Sequence, residues 1–242
     1  MMQLSSLAPH SEKRSSHTCE GVNMDKVQRI LRDLSDAALE RGAPLDWFED
    51  LYEFAEKDRT MIPWSKGEPH PFLVNWIEQH STQPIGSALI VGCGLGEDAV
   101  YLAEKGWKVT AFDLSESAIG WVKEMHPHQS ITWEVGDLLN PKPHWMQQFD
   151  LVLEVHILQA IPQEFRIPAS KNLAPLVSQN GTLICIGRMA DSSKDIQFDG
   201  PPWPLEISFI ESLGQQLIPI NMYSIQYDGE EHLRFRAVWK RS

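Results

Sequence analysis

Cysteine is scarce in this chain, long apolar runs are missing and positive charge is in deficit. Each shortage closes off a class of protein. Three cysteines, Cys19, Cys93 and Cys185, contain no CxxC pair and cannot build a disulfide framework. A reducing, cytoplasmic setting is the expectation. No run approaches the ~20 apolar residues that span a bilayer. The first 23 residues, rich in Ser and His, lack the apolar stretch of a secretory signal. With 21 Lys+Arg against 33 Asp+Glu the net charge is −12, which argues against nucleic acid or an anionic membrane as a partner, because both repel a negative surface. Metal-ligand spacing is missing too: His126 and His128 flank a proline, with no further Cys or His at ligand distance, so no metal is expected.

What is there is globular material. A hydrophobic fraction of 42% in 242 residues supplies a sizeable core for a single domain. Residues 1–23 read as a disordered tail, and Met24, which opens the first periodic segment, as a candidate start of translation. From Met24 to Arg41 apolar residues at Val27, Ile30, Leu31, Leu34 and Ala38 form one helical stripe. A second helix is predicted over 46–57, a loop over 60–71 and a third helix over 72–80; residues 24–80 thus form a helical cover ahead of the main domain.

The pattern then changes. A continuous apolar run at 87–92 reads as a strand buried on both faces, and 108–113, 131–137, 149–155 and 181–187 as further strands, alternating with helical periodicity over 97–105, 115–125 and within 163–178. Such alternation means a mostly parallel sheet with helices on both faces. The segments 217–227 and 233–241, joined by Asp228-Gly229, read as an antiparallel hairpin.

Chemistry concentrates where the first of these strands ends. In ALIVGCGLGEDAVYLAEKG (88–106), Gly92, Gly94 and Gly96 open a helix, so that a ligand can lie against main-chain amides. The next strand ends in Asp113, 21 positions after Gly92, where a short carboxylate accepts from ribose hydroxyls. Strand context and Asp113 together indicate a nucleotide-type ligand, NAD or S-adenosylmethionine. A dinucleotide site wants GxGxxG, but the spacing here is GxGxG, with Glu97 rather than glycine at the third position. A further acidic strand end stands at Asp137.

With these motifs the sequence resembles the class I S-adenosylmethionine-dependent methyltransferases from about Trp64 to the C-terminus. The resemblance implies a seven-stranded, mostly parallel Rossmann-like sheet whose last strand is antiparallel. It implies that Gly92, Gly94 and Gly96 hold the methionine part of the donor, that Asp113 holds the ribose, that Asp137 and Leu138 frame the adenine, and that Cys93 and Leu114 also line the donor site. Glu154 would border the transferred methyl. Ile90 stands where most of the class carries an acid two residues before the first glycine. The branch that looks like thiopurine and thiocyanate/halide methyltransferases lacks that acid too. Its P-W-x-x-G-x-P loop is matched by Pro63-Trp64-Ser65-Lys66-Gly67-Glu68-Pro69, and its G-P-P-aromatic segment by GPPWPL (200–205).

Trp64 is expected over the donor's sulfonium, whose charge an aromatic face attracts. Cys93 reads as a small filler rather than a nucleophile. Glu154, His156 and Arg188, at the ends of the fourth and fifth parallel strands, are the catalytic candidates. The function implied is methyl transfer to a small molecule, a thiol, selenol or halide, by in-line displacement. The alternative is a non-catalytic donor-binding module that acts through a protein partner. Oligomeric state is not legible.

Overall fold

The computed structural model describes residues 19–80, 85–190, 201–230 and 232–242. Three helices, α1 (Cys19–Glu40), α2 (Trp47–Phe54) and α3 (Pro71–Gln79), precede the first strand, with a 3-10 turn at Arg59–Met61 between the last two. The strands are β1 (Ser87–Val91), β2 (Lys108–Asp113), β3 (Ile131–Val135), β4 (Phe149–Val155), β5 (Val177–Met189), β6 (Ile218–Ile225) and β7 (Leu233–Lys240). They form one seven-stranded sheet in the order β3-β2-β1-β4-β5-β7-β6. β1 to β5 run parallel, and β7 inserts antiparallel between β5 and β6. This is the fold the sequence predicts.

Helices α4 (Glu97–Glu104) and α5 (Glu116–Met125) join α3 on one face. The short α6 (Ile157–Ala160), α7 (Gln163–Lys171) and α8 (Ile207–Ser212) cover the other. The central parallel strands bury both of their faces, whereas β3 at the edge buries little beyond Trp133: Ile90 and Leu153 pack under α3 and α4, and Leu89 and Val152 under α6 and α7. That explains why the central strand β1 reads as a continuous apolar run rather than an alternating one. A third cluster, with Val27, Leu31, Trp47, Leu51 and Trp121, ties α1 and α2 to α5.

Several boundaries differ from the expectation. α1 begins at Cys19, five residues before Met24, so the tail expected over 1–23 ends sooner; residues 1–18 lie outside the described residues. Apolar spacing reports only the packed side of a helix, and a first turn held by main-chain bonds leaves no such trace. The helix expected within 163–178 is α7 with Pro168 inside it, followed by a 3-10 turn at Ala174–Leu176. β5 extends beyond 181–187 at both ends, and the single turn of α6 is too short to show a period.

The strand order reverses direction between β1 and β4, and open parallel sheets bind ligands at the carboxyl edge of such a switch point. Asp113, His156 and Arg188 stand at or just beyond the carboxyl ends of β2, β4 and β5 along this edge.

Candidate active site

The turn from β1 into α4 is built to let something approach its backbone. Gly92, Gly94 and Gly96 all have positive φ. A Cβ at Gly96 would lie 2.6 Å from the Trp133 ring and 2.8 Å from Val122, so that glycine serves close helix-to-sheet packing. At Gly94 the neighbours differ: a Cβ would meet Tyr52 Oη at 3.1 Å and Trp64 Nε1 at 3.4 Å. The loop thus faces two aromatic residues of the N-terminal cover across a gap a single methyl would fill.

Asp113 closes the other side. Its Oδ2 accepts the Gly94 amide at 2.9 Å and its Oδ1 accepts the Ser115 amide at 3.0 Å. Burial raises its pKa, while the amides of Ser115, Gly94 and Leu114 pull it down. Each carboxylate oxygen has a second lone pair, so the group can hold the glycine loop and still accept from hydroxyls of a ligand. Leu114 presents an exposed apolar side chain beside it. Cys93 donates its amide to Phe112 O at 2.9 Å, and burial followed by the Asp113 charge pushes its thiol pKa well up. It is a filler.

The segment carrying Trp64 is clamped from α4. Glu97 Oε1 accepts from Arg59 Nη2 at 2.6 Å, Ser65 Oγ at 2.5 Å and the Gly67 amide at 3.3 Å. Asp98 Oδ1 accepts the His70 amide at 2.7 Å, and burial raises its carboxyl from 3.8 to about 6. Glu97, which stands where a dinucleotide pattern has its third glycine, and its neighbour Asp98 thus anchor the segment together. Trp64 is 41% exposed and donates its indole N–H to Tyr52 Oη at 3.0 Å. Glu49 of α2 accepts the Ser117 amide and hydroxyl at the start of α5, which fixes the cover to the rest of the domain.

On the β4 and β5 side, Glu154 is buried and accepts the Leu158 amide at 3.1 Å; burial raises its pKa to about 7. Its carboxylate supports the start of α6 from beneath. His156 has φ +62°, a strained conformation for a residue with a Cβ. Its Nδ1 lies 2.9 Å from Gln159 Oε1. Gln159 Nε2 donates to the carbonyls of Arg188 (2.7 Å) and Trp203 (2.9 Å), which fixes which end of the amide is oxygen. His156 therefore carries its proton on Nδ1 and leaves Nε2 bare. Burial lowers its pKa to about 4. His70 uses Nδ1 to accept the Phe72 amide and is lowered to about 3, again by burial first. Of the adenine candidates, Asp137 accepts the Leu139 amide at 2.8 Å, and Leu138 buries its side chain in the core, leaving its main chain at the edge.

The sequence reading missed Tyr52, Glu97, His70, Gln159 and Arg234. Only the acids that follow the glycines where a dinucleotide pattern has its third glycine hinted at any of this.

A mostly parallel sheet with an inserted antiparallel strand, a glycine turn and an acid at the second strand tip together define a Rossmann-like methyltransferase. The loop cradle at Gly94, the spare acceptor capacity of Asp113 and the aromatic faces of Trp64 and Tyr52 fit S-adenosylmethionine in its amino-acid, ribose and sulfonium parts. A model of the thiopurine S-methyltransferase family matches residues 54–238, and the chain belongs to that family. It is 27% identical over 225 residues to thiocyanate methyltransferase 1 of Arabidopsis thaliana, covering 91% of each chain. It is 26% identical over 167 residues to probable thiol methyltransferase 2 of the same plant, covering 67% of this chain and 70% of the other. Among solved structures, a TehB-like SAM-dependent methyltransferase from Corynebacterium glutamicum shares the fold, with a TM-score of 0.56, 21% identity and 80% and 98% coverage of this chain and that one. The protein is an S-adenosylmethionine-dependent methyltransferase acting on a small molecule. No helix among the described residues is long and apolar enough to cross a membrane.

Proposed function

We propose that the enzyme methylates a small soft nucleophile of the thiol, selenol or halide kind by in-line displacement. One observation carries this reading. Of the imidazoles at the acceptor end, His70 and His156 are both held neutral, at about 3 and about 4, and Glu154 is turned inward to the amides of α6. None of the three is both open to the site and tuned near neutral pH to take a proton from an amine or alcohol. A nucleophile that is already deprotonated, or easily so, makes no such demand. The thiol and thiocyanate methyltransferase relatives support the same choice.

S-adenosylmethionine, when bound, supplies a methyl group already activated as a sulfonium. The chain's part is to position and to exclude water. Asp113 and the glycine loop hold the nucleoside and amino-acid parts, with Leu114, Asp137 and the Leu138 main chain toward the adenine. Trp64 and Tyr52 cover the sulfonium, so residues 24–80 act as a cover of the domain rather than a unit of their own. His156, Gln159 and Arg188 frame the acceptor.

The test is turnover with labelled methyl donor against alkyl thiols, sulfide, iodide and small amines. Methylation of thiols or iodide with amines untouched is the expected result. Amines as the preferred class would overturn it.

A further inference from the structure

The acceptor end of the carboxyl edge carries a charge imbalance that methyl transfer to a simple thiol leaves unused. β5 and β7 are antiparallel neighbours, and their register sets Arg188 directly opposite Arg234. Like charges directly opposite on a sheet destabilise it. Arg234 has its compensation: Nε and Nη2 donate to the Glu230 carboxylate at 2.9 and 2.6 Å. Arg188 does not. Its Nε is buried without a hydrogen-bond partner, and among the described residues no carboxylate forms an ion pair with it.

Loose packing does not account for this. Gln159 grips the Arg188 main chain twice, accepting its N–H and donating to its carbonyl, each at 2.7 Å. The same Gln159 holds His156, whose ring centre lies 5.9 Å from that of His70. Both imidazoles stay neutral under burial and the nearby positive charges. His70, His156, Arg188 and Arg234 lie close enough to act on one another's charge, and among the described residues Glu230, which also pairs with His232 at 3.6 Å, is the one carboxylate acting on the two guanidiniums. A buried guanidinium with an open donor calls for an acceptor oxygen.

Resting on the reading of this edge as the acceptor side, we propose that Arg188, backed by Arg234, determines acceptor specificity and that the acceptor carries an oxyanionic group, a carboxylate in the simplest case. The planar guanidinium fork matches two carboxylate oxygens at once and is weakly hydrated, which suits a half-buried site. A neutral thiol leaves the charge unpaired, and a halide neutralises it without using the fork.

The experiment compares 3-mercaptopropionate, its neutral amide and iodide as acceptors for the full chain, with donor affinity followed by calorimetry. The wild-type enzyme should prefer the acid over the amide in kcat/KM. Arg188→Gln should shrink that preference by about ten- to hundredfold, the loss expected for a charge-assisted hydrogen bond. Arg188→Lys should restore only part, because it keeps the charge but not the fork. Equal use of acid and amide by the wild type would overturn the inference. So would full rescue by lysine with iodide and the acid affected alike, which would mean a point charge alone is read. If Arg188→Gln does not fold, competition against the wild type decides: inhibition by butyrate but not by butyramide supports the inference, and equal inhibition sinks it. Failure to bind the donor at all would bring down the methyl-transfer reading itself, whereas donor binding with indifference to the carboxylate removes only this step.

Discussion

The two halves of the carboxyl edge solve opposite electrostatic problems. On the β1 and β2 side, acids meet main-chain amides: Asp113 with Gly94 and Ser115, Asp98 with His70, Glu97 with Gly67. On the β4, β5 and β7 side, side chains carry the contacts of rings and cations: Gln159 holds the His156 ring and the Arg188 main chain, and Glu230 pairs with the Arg234 guanidinium. The first arrangement makes a rigid cradle whose shape belongs to the backbone. The second makes a chamber whose properties belong to individual side chains. A cradle suits a donor that is the same for every member of a class, and a side-chain chamber suits an acceptor that varies. If that division is right, substitutions on the two sides should separate donor affinity from acceptor use.

The largest effect is expected at Asp113. Asp113→Ala removes the candidate ribose acceptor and also strands two buried amides, so both binding and folding should suffer. Affinity for S-adenosylmethionine should fall by about hundredfold, and stability by about 2–4 kcal/mol for the two unsatisfied donors. Calorimetry and chemical unfolding measure the two together. Unchanged donor affinity would remove the ribose role and with it half of the comparison.

Gln159→Leu probes the opposite half. It abandons the main chain of Arg188, the Trp203 carbonyl and His156 Nδ1 together. A stability loss of about 3 kcal/mol is expected for those buried groups. Donor affinity should stay within about twofold, since no contact of Gln159 reaches the glycine loop. A parallel fall in donor affinity would show that the halves are not separable.

These two residues also mark what the sequence made legible. Asp113 follows a glycine turn in the next strand of the same βαβ unit, so chain spacing alone placed it. The Rossmann-like order of strands and helices was readable for the same reason, because parallel strands buried on both faces leave continuous apolar runs. Gln159 binds Arg188 29 positions away, Glu49 reaches Ser117 across 68, and His70 meets Asp98 across 28. No spacing rule connects such partners; only the packed fold brings them together. The place of Glu154 at a strand end suggests a site-lining acid, and alternation turns its carboxylate into the face under α6.

A smaller effect, with a pH signature, belongs to the anchor of the cover. Burial raises Asp98 to about 6 in the folded protein from an ordinary 3.8. A raised folded pKa means the residue costs nothing below about pH 4, and its cost grows as pH rises through 6. Asp98→Asn keeps an oxygen for the His70 amide and removes the charge. It should stabilise the protein by about 1–3 kcal/mol at pH 8 and by nothing at pH 4. The unfolding midpoint across that range checks it, and a difference independent of pH would mean that the desolvated charge is not what Asp98 contributes.

The smallest effect on stability, and the sharpest separation from function, is expected at Trp64. A fully buried tryptophan cut to alanine costs about 3–5 kcal/mol. Trp64 is 41% exposed, and its neighbours Trp47 and Tyr52 touch it edge-on at 6.1 Å between ring centres. Trp64→Ala should therefore cost only about 1 kcal/mol of stability, in proportion to the smaller buried area. Turnover should fall further, by about tenfold in kcat/KM, because the ring that shields the crevice at Gly94 is gone and with it a cation–π contact of about 1–2 kcal/mol to the sulfonium. Trp64→Phe keeps an aromatic face while releasing Tyr52 Oη, and should recover most of the activity. Intrinsic fluorescence of the wild type should change on donor binding, and that change should be largely lost in both variants. A stability loss of several kcal/mol with activity per folded molecule intact would instead make Trp64 a core residue, and the cover would then owe its place to packing against α5 rather than to the donor.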